Sequence, residues 1–409
     1  MQPTETARRN DIDALRVLAF GLLILYHVGM FYVSWGWHVK SRYEFEWLQP
    51  AMTLVNQWRM PLIFMISGLA VNFLLGEGAR RRLGYRAFAW QRTVRLGVPL
   101  LFGMLVIVPP QAYFEALENG AIEPGYLAFL WRYFTFQAWP EGAFAGSDYG
   151  LTWNHLWYLP YLLTYSLLLI PIAVFLDGPG RKLRERLCRL RGLGLWLLPI
   201  LPLMAWGQWI FPHFPYISHD LITDGYAHAV FGTFFLYGFV IGRDAGLWRE
   251  LAALRWYTLA VALLTYALLM VYREVLPDEP GALADSAFMA VIYLNRWTWL
   301  LLVLGWGHRL LNREFSWLPY ARTAVYPWYV LHQTITVVAG YGLTRLALGP
   351  VVEPLLVLAA TFGGCALLHH FVVRRIGRFG LLFGYAAAAP GKAQRSAATE
   401  LAAVDVRMS

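Results

Sequence analysis

The sequence predicts an all-α, polytopic integral membrane protein of about ten transmembrane helices. Three observations predict it. The 409 residues are 58% hydrophobic and only 14% charged, against about 25% charged residues in an ordinary soluble domain. Long apolar runs recur along the whole chain, each long enough to cross a bilayer. The connecting segments alternate between arginine-rich and arginine-poor, as the two sides of a membrane require. The net charge of +9 follows from that bias and is no signal for nucleic acid.

Taken in order, the apolar segments fall near 14–33, 57–75, 95–112, 156–176, 194–211, 226–242, 256–272, 287–307, 322–345 and 352–372. One set of connections holds Arg80, Arg81, Arg82, Arg86, Arg92 and Arg95, then a basic linker at 178–192, then Arg243, Arg249 and Arg255, then Arg309 and Arg313, then Arg374, Arg375 and Arg378. The alternate set holds only Lys40, Arg42, Arg132 and Arg273. The basic set is expected in the cytoplasm, and with it both termini. Arg8 and Arg9 precede the first apolar run as in a signal peptide, but no small-residue cleavage site follows, so the run is expected to stay as the first span. The aromatic segment 113–154 is expected to carry an interfacial helix. Residues 386–409 read as a disordered cytoplasmic tail. Cys188 and Cys365 are far apart in sequence, and neither a disulfide nor a metal site is expected of them.

The first span holds the most informative residues. Arg16 and His27 are eleven positions apart, which brings them to within about 20° of one face and roughly 16 Å apart along the axis. Asp13 sits one turn before Arg16. A polar line in an apolar helix is costly in lipid and should face the protein interior or a wet cavity. His27 suits a general base near neutral pH; the plainer reading is a histidine bonded to a neighbouring helix. Arg16, with Arg92 and Arg95 spaced by three on one face of the third helix, could form a pocket for a phosphorylated ligand; each alone also fits a topology signal. Ser67 and Gly68 at mid-span permit close helix contact, with ligand contact by the Ser67 hydroxyl as the sharper reading. His155, Trp157 and Tyr158 open the fourth helix at the outer face. They fit an interfacial belt or a sugar-binding wall. His332 in the ninth helix lies at a depth similar to His27, and the two could meet there. His213, His219 and His228 have no metal-ligand spacing, and no metal is expected.

In order along the chain, Arg16 with His27, Ser67-Gly68, Arg92 with Arg95, Trp157-Tyr158-Leu159 and Leu331-His332-Gln333 resemble the signature elements of the acyltransferase 3 family, over about residues 8–375. Trp37-His38-Val39-Lys40-Ser41, Trp58-Arg59-Met60 and His155-Leu156-Trp157 resemble the branch of that family associated with succinylation of periplasmic glucans. The resemblance implies an O-acyltransferase of the bacterial inner membrane. It would move an acetyl or succinyl group from cytoplasmic acyl-CoA to a hydroxyl of an extracytoplasmic saccharide in the cell envelope. Arg16, Arg92 and Arg95 would hold CoA phosphates, with Asp13 orienting or balancing Arg16. His27 would be the general base, and Ser67, His155, Trp157, Tyr158 and His332 would meet substrate. A transporter or flippase for a lipid-linked or anionic envelope compound is the alternative for a buried polar line; the absence of an evident internal repeat weighs against it.

Overall fold

The computed structural model describes residues 9–75, 77–242, 244–275 and 281–385. The expected tail at 386–409, Arg8, Arg243 and the side chains of Arg80, Arg81 and Arg82 lie outside the described residues. The α-helices are α1 (Asn10–Gly29), α2 (Leu48–Leu74), α3 (Glu77–Phe102), α4 (Pro109–Glu118), α5 (Tyr126–Phe134), α6 (Tyr158–Asp177), α7 (Arg181–Cys188), α8 (Gly192–Leu197), α9 (Ile200–Trp209), α10 (Gly225–Ile241), α11 (Ala245–Ala253), α12 (Arg255–Val275), α13 (Ala282–Leu311), α14 (Leu318–Leu343) and α15 (Val352–Leu367).

Among the described residues, seven helices are long and apolar enough to cross a membrane, or up to nine if each of two bent pairs counts as one span. The segment expected at 322–345 is the 26-residue helix α14. Its polar content, with Arg322, His332 and Gln333, sets it apart from those nine, and its inward face is buried. The segment expected at 95–112 is the end of α3, a π turn at Gly103–Ile107 and the start of α4, with a bend of 43°. Pro109 and Pro110 cannot donate to the preceding turn, so the helix cannot run on unbroken.

α1 packs between α2, α13 and α14. Its first turn is anchored by buried Asp11, which accepts from Arg9 (2.7 Å) and pairs with His308 of α13 (2.7 Å). The closest helix pairing is α2 with α10. A Cβ on Gly68 would overlap the Phe235 carbonyl, and one on Gly238 would overlap the Met65 carbonyl. Glycine at both positions lets the two backbones touch, as between membrane helices generally.

On the side where α1 ends, a second apolar core gathers Ala112, Tyr113, Ala116, Phe129, Tyr133 and Phe144 from α4, α5 and the following loop. Helix α5 buries Phe129 and Tyr133 and exposes Leu127 and Trp131, the two-faced pattern of an interfacial helix. This cap is tied to the segment before α10. Trp153 donates to the His219 carbonyl (3.0 Å) and Tyr149 to the Asp220 carboxylate (2.5 Å); the Tyr149 bond holds the Asp220 carboxyl below its ordinary range.

Candidate active site

The end of α1 delivers His27 against α14. Its Nδ1 lies 2.8 Å from His332 Nε2, with the two rings stacked 5.0 Å apart. The tautomers follow from the surroundings. His332 Nδ1 faces the Tyr329 carbonyl at 2.8 Å, so it carries the proton and donates. In the neutral ring Nε2 is then the acceptor, and His27 Nδ1–H donates to it. The lone pair of His27 is thereby fixed on Nε2, which has no hydrogen-bond partner among the described residues. This is the second-atom logic by which a bond to one imidazole nitrogen decides the chemistry of the other. Trp37 from the α1–α2 connection lies over the ring, 5.2 Å away.

A polar network lies on the far side of His332. His155 stands edge-on to it at 5.2 Å and donates from Nε2 to the Val330 carbonyl (3.1 Å). Gln111 Nε2 donates to His155 Nδ1 (3.3 Å) and to Thr334 (2.6 Å). Gln333 Nε2 donates to Gln111 Oε1 (3.1 Å) and to His38 Nε2 (2.9 Å). His38 Nδ1–H in turn donates to Glu115 (2.6 Å). Gln333 Nε2 also faces Asn154 Oδ1 (3.3 Å), so its two hydrogens are shared among three acceptors in a connected buried network.

The other end of α1 is strongly basic. Arg16 pairs with Asp13 at 2.8 Å, and Arg322 of α14 approaches the same carboxylate at 3.6 Å. Arg16, Arg92, Arg95 and Arg322 are mutual electrostatic neighbours around Tyr158 and Tyr326. Nε of Arg92 is buried with no hydrogen-bond partner among the described residues, and Tyr326 donates to the Arg95 carbonyl (3.1 Å). A cluster of guanidinium groups in excess of its paired carboxylate attracts phosphates.

The structure thus brings His27 and His332 together, and Arg16, Arg92 and Arg95 together. Asp13 stays with Arg16 in the arginine cluster, and other residues lie elsewhere than expected. Fourteen residues separate it from His27 along α1, roughly 21 Å of helix, so it balances charge and does not touch the imidazole. Tyr158 does not face an outer wall. The 3₁₀ turn Asn154–Trp157 rotates it inward, where it shares a 2.5 Å hydrogen bond with Ser67 at the edge of the basic cluster. That bond, with one from Ser67 to the Ile63 carbonyl (2.9 Å), occupies the Ser67 hydroxyl within the helix packing. His155 is likewise buried in the network, and Trp157 is covered by a stacked His219 at 4.3 Å. Neither forms an open sugar-binding wall. Glu115, Gln111 and Arg322 were not singled out in the sequence, and Arg59 and His38 entered only as parts of the branch resemblance, with no place in the site. Their signal was weak: each is a single polar residue in or beside an apolar run, and only the fold places Arg322 with the arginine cluster and the others at the His27 end.

A paired histidine with a defined lone pair, an arginine cluster at the opposite end of the same helix, and a polar network sealed behind them define a membrane-embedded transfer enzyme. The description "Acyltransferase domain" matches residues 9–370, so the chain belongs to the acyltransferase 3 family and is an acyltransferase. Among curated proteins, glucans biosynthesis protein C of Escherichia coli O6:K15:H31 (strain 536 / UPEC) is 25% identical over 360 residues, 84% of this chain and 86% of that protein. The protein of the same name from Escherichia coli strain K12 is similar to the same extent. No solved structure matches the chain.

Proposed function

We propose that the protein transfers an acyl group from cytoplasmic acyl-CoA to a hydroxyl of an extracytoplasmic saccharide. The observation that carries this reading is the His27–His332 pair, which leaves His27 Nε2 unbonded at the end of α1 remote from the arginines. Arg16, Arg92, Arg95 and Arg322 would hold the phosphates of CoA, and the pantetheine arm would carry the thioester along α1. The acceptor hydroxyl gives its proton to His27 Nε2 while its oxygen attacks the thioester carbonyl. Collapse of the tetrahedral intermediate forms the ester and breaks the C–S bond, and the proton on His27 passes to the departing thiolate. His332 accepts from Nδ1–H throughout and stabilises the imidazolium by remaining its hydrogen-bond acceptor.

The similarity to glucans biosynthesis protein C supports a glucan or related envelope saccharide as acceptor. The reading places both termini in the cytoplasm, gives the chain about ten spans and locates it in a bacterial inner membrane. Mass analysis of envelope glycans from a deletion strain tests it. Loss of an ester-linked acyl mass is expected. Unchanged acyl content with altered glycan export would instead support a transporter.

A further inference from the structure

Arg59 lies on the inner face of α2, only 8% exposed. Its guanidinium is stacked on the ring of Tyr26 at 3.4 Å, one residue before His27. Both Nε and Nη1 are buried without a hydrogen-bond partner. Among the described residues no carboxylate pairs with it. The ionisable groups nearest it are Tyr26, which it also hydrogen-bonds, and the histidines His27, His332 and His219; none is a carboxylate. Arginine does not discharge by losing its proton. A buried, unpaired charge is among the most costly features a fold can hold, and in a membrane span it marks function. Stacking on Tyr26 recovers only part of that cost, while fixing the guanidinium plane beside the reacting base.

Resting on the acyl-CoA reading above, we propose that Arg59 is the receptor for a carboxylate at the far end of the transferred acyl group, so that the enzyme selects acyl groups that end in a carboxylate over those that end in a methyl. The acyl group must reach His27 for transfer, and Arg59 flanks His27 at Tyr26. A carboxylate accepts strongly from guanidinium N–H groups, and Nε and Nη1 each offer one an unmet donor. An anionic group on the acceptor is the other source of the same chemistry.

The test is donor binding by the purified full-length protein in detergent, which needs no acceptor. Succinyl-CoA and butyryl-CoA have acyl chains of equal length and differ at the far end, carboxylate against methyl. The wild type is expected to bind succinyl-CoA at least tenfold more tightly. Arg59→Gln should lose that preference while its affinity for butyryl-CoA stays unchanged, which also shows that it is folded. Arg59→Lys should keep part of the preference. Equal binding of the two donors by the wild type overturns the inference, as does an Arg59→Gln protein weakened equally for both. It is also overturned if Arg59→Gln removes a preference for a glucuronate-bearing over a neutral oligosaccharide with no donor preference present. Failure of the wild type to bind either thioester overturns the acyl-CoA reading itself.

Discussion

Replacing His332 by alanine isolates the hydrogen bond that fixes the tautomer of His27. His27 Nδ1–H then has no acceptor at 2.8 Å, and its lone pair is no longer held on Nε2. Leaving a buried donor unsatisfied costs about 1–3 kcal/mol. If that cost falls on the state in which His27 carries the acceptor's proton, turnover drops about 5- to 150-fold at 1.4 kcal/mol per decade. The KM for acyl-CoA should not change, because the arginine cluster lies at the other end of α1. Glutamine at the same position keeps a carbonyl acceptor and should recover much of the loss. The assay is ester formation on an added glucan, with the detergent melting temperature measured alongside, since His332 is fully buried. Wild-type turnover in His332→Ala would show that His332 does not fix the tautomer of His27. So would a folded His332→Gln protein as impaired as the alanine variant.

Further outcomes are expected. His27→Ala should lower turnover about 10²- to 10⁴-fold, the range of a lost general base, with membrane abundance intact by immunoblot. Arg92→Gln should raise the KM for acyl-CoA with little change in kcat, because it removes a phosphate contact made equally in ground and transition states; steady-state kinetics against donor concentration checks this. Gly68→Val drives side-chain atoms into the Phe235 carbonyl and should destabilise the protein by about 1–3 kcal/mol or more, read as a lower melting temperature. Glu115→Gln replaces the carboxylate that accepts from His38 with a weaker neutral acceptor and should loosen the network behind His332, lowering kcat more than it changes donor KM.

The membrane character and the two ends of the site were legible because both rest on local pattern. Apolar runs announce spans by themselves, and the Arg16–His27 spacing is fixed by helix geometry alone. The meeting of His27 with His332 was also accessible, since similar depth in neighbouring spans allows it. The orientation of α6 was not. Whether Tyr158 points outward or inward depends on a 3₁₀ turn at Asn154–Trp157, where Asn154 takes a left-handed conformation, and no hydrophobic period encodes that turn. Arg59 was hidden for a different reason. In the sequence it is only one letter of Trp58-Arg59-Met60, and only burial against Tyr26 without a carboxylate gives it a meaning of its own. The bend between α3 and α4 was written in Pro109 and Pro110, but a hydropathy reading smooths over it.

In the proposed reaction one helix links a donor on one side of the membrane to an acceptor on the other through His27. The most direct measurement uses oriented proteoliposomes with acyl-CoA confined to the side bearing Arg16, Arg92 and Arg95 and a glucan confined to the opposite side. Ester-linked acyl mass is then read on the glucan. Acylation by the wild type is expected, and none above background by His27→Ala. Undiminished acylation by His27→Ala, or acylation only when donor and glucan share one side, would contradict that reaction.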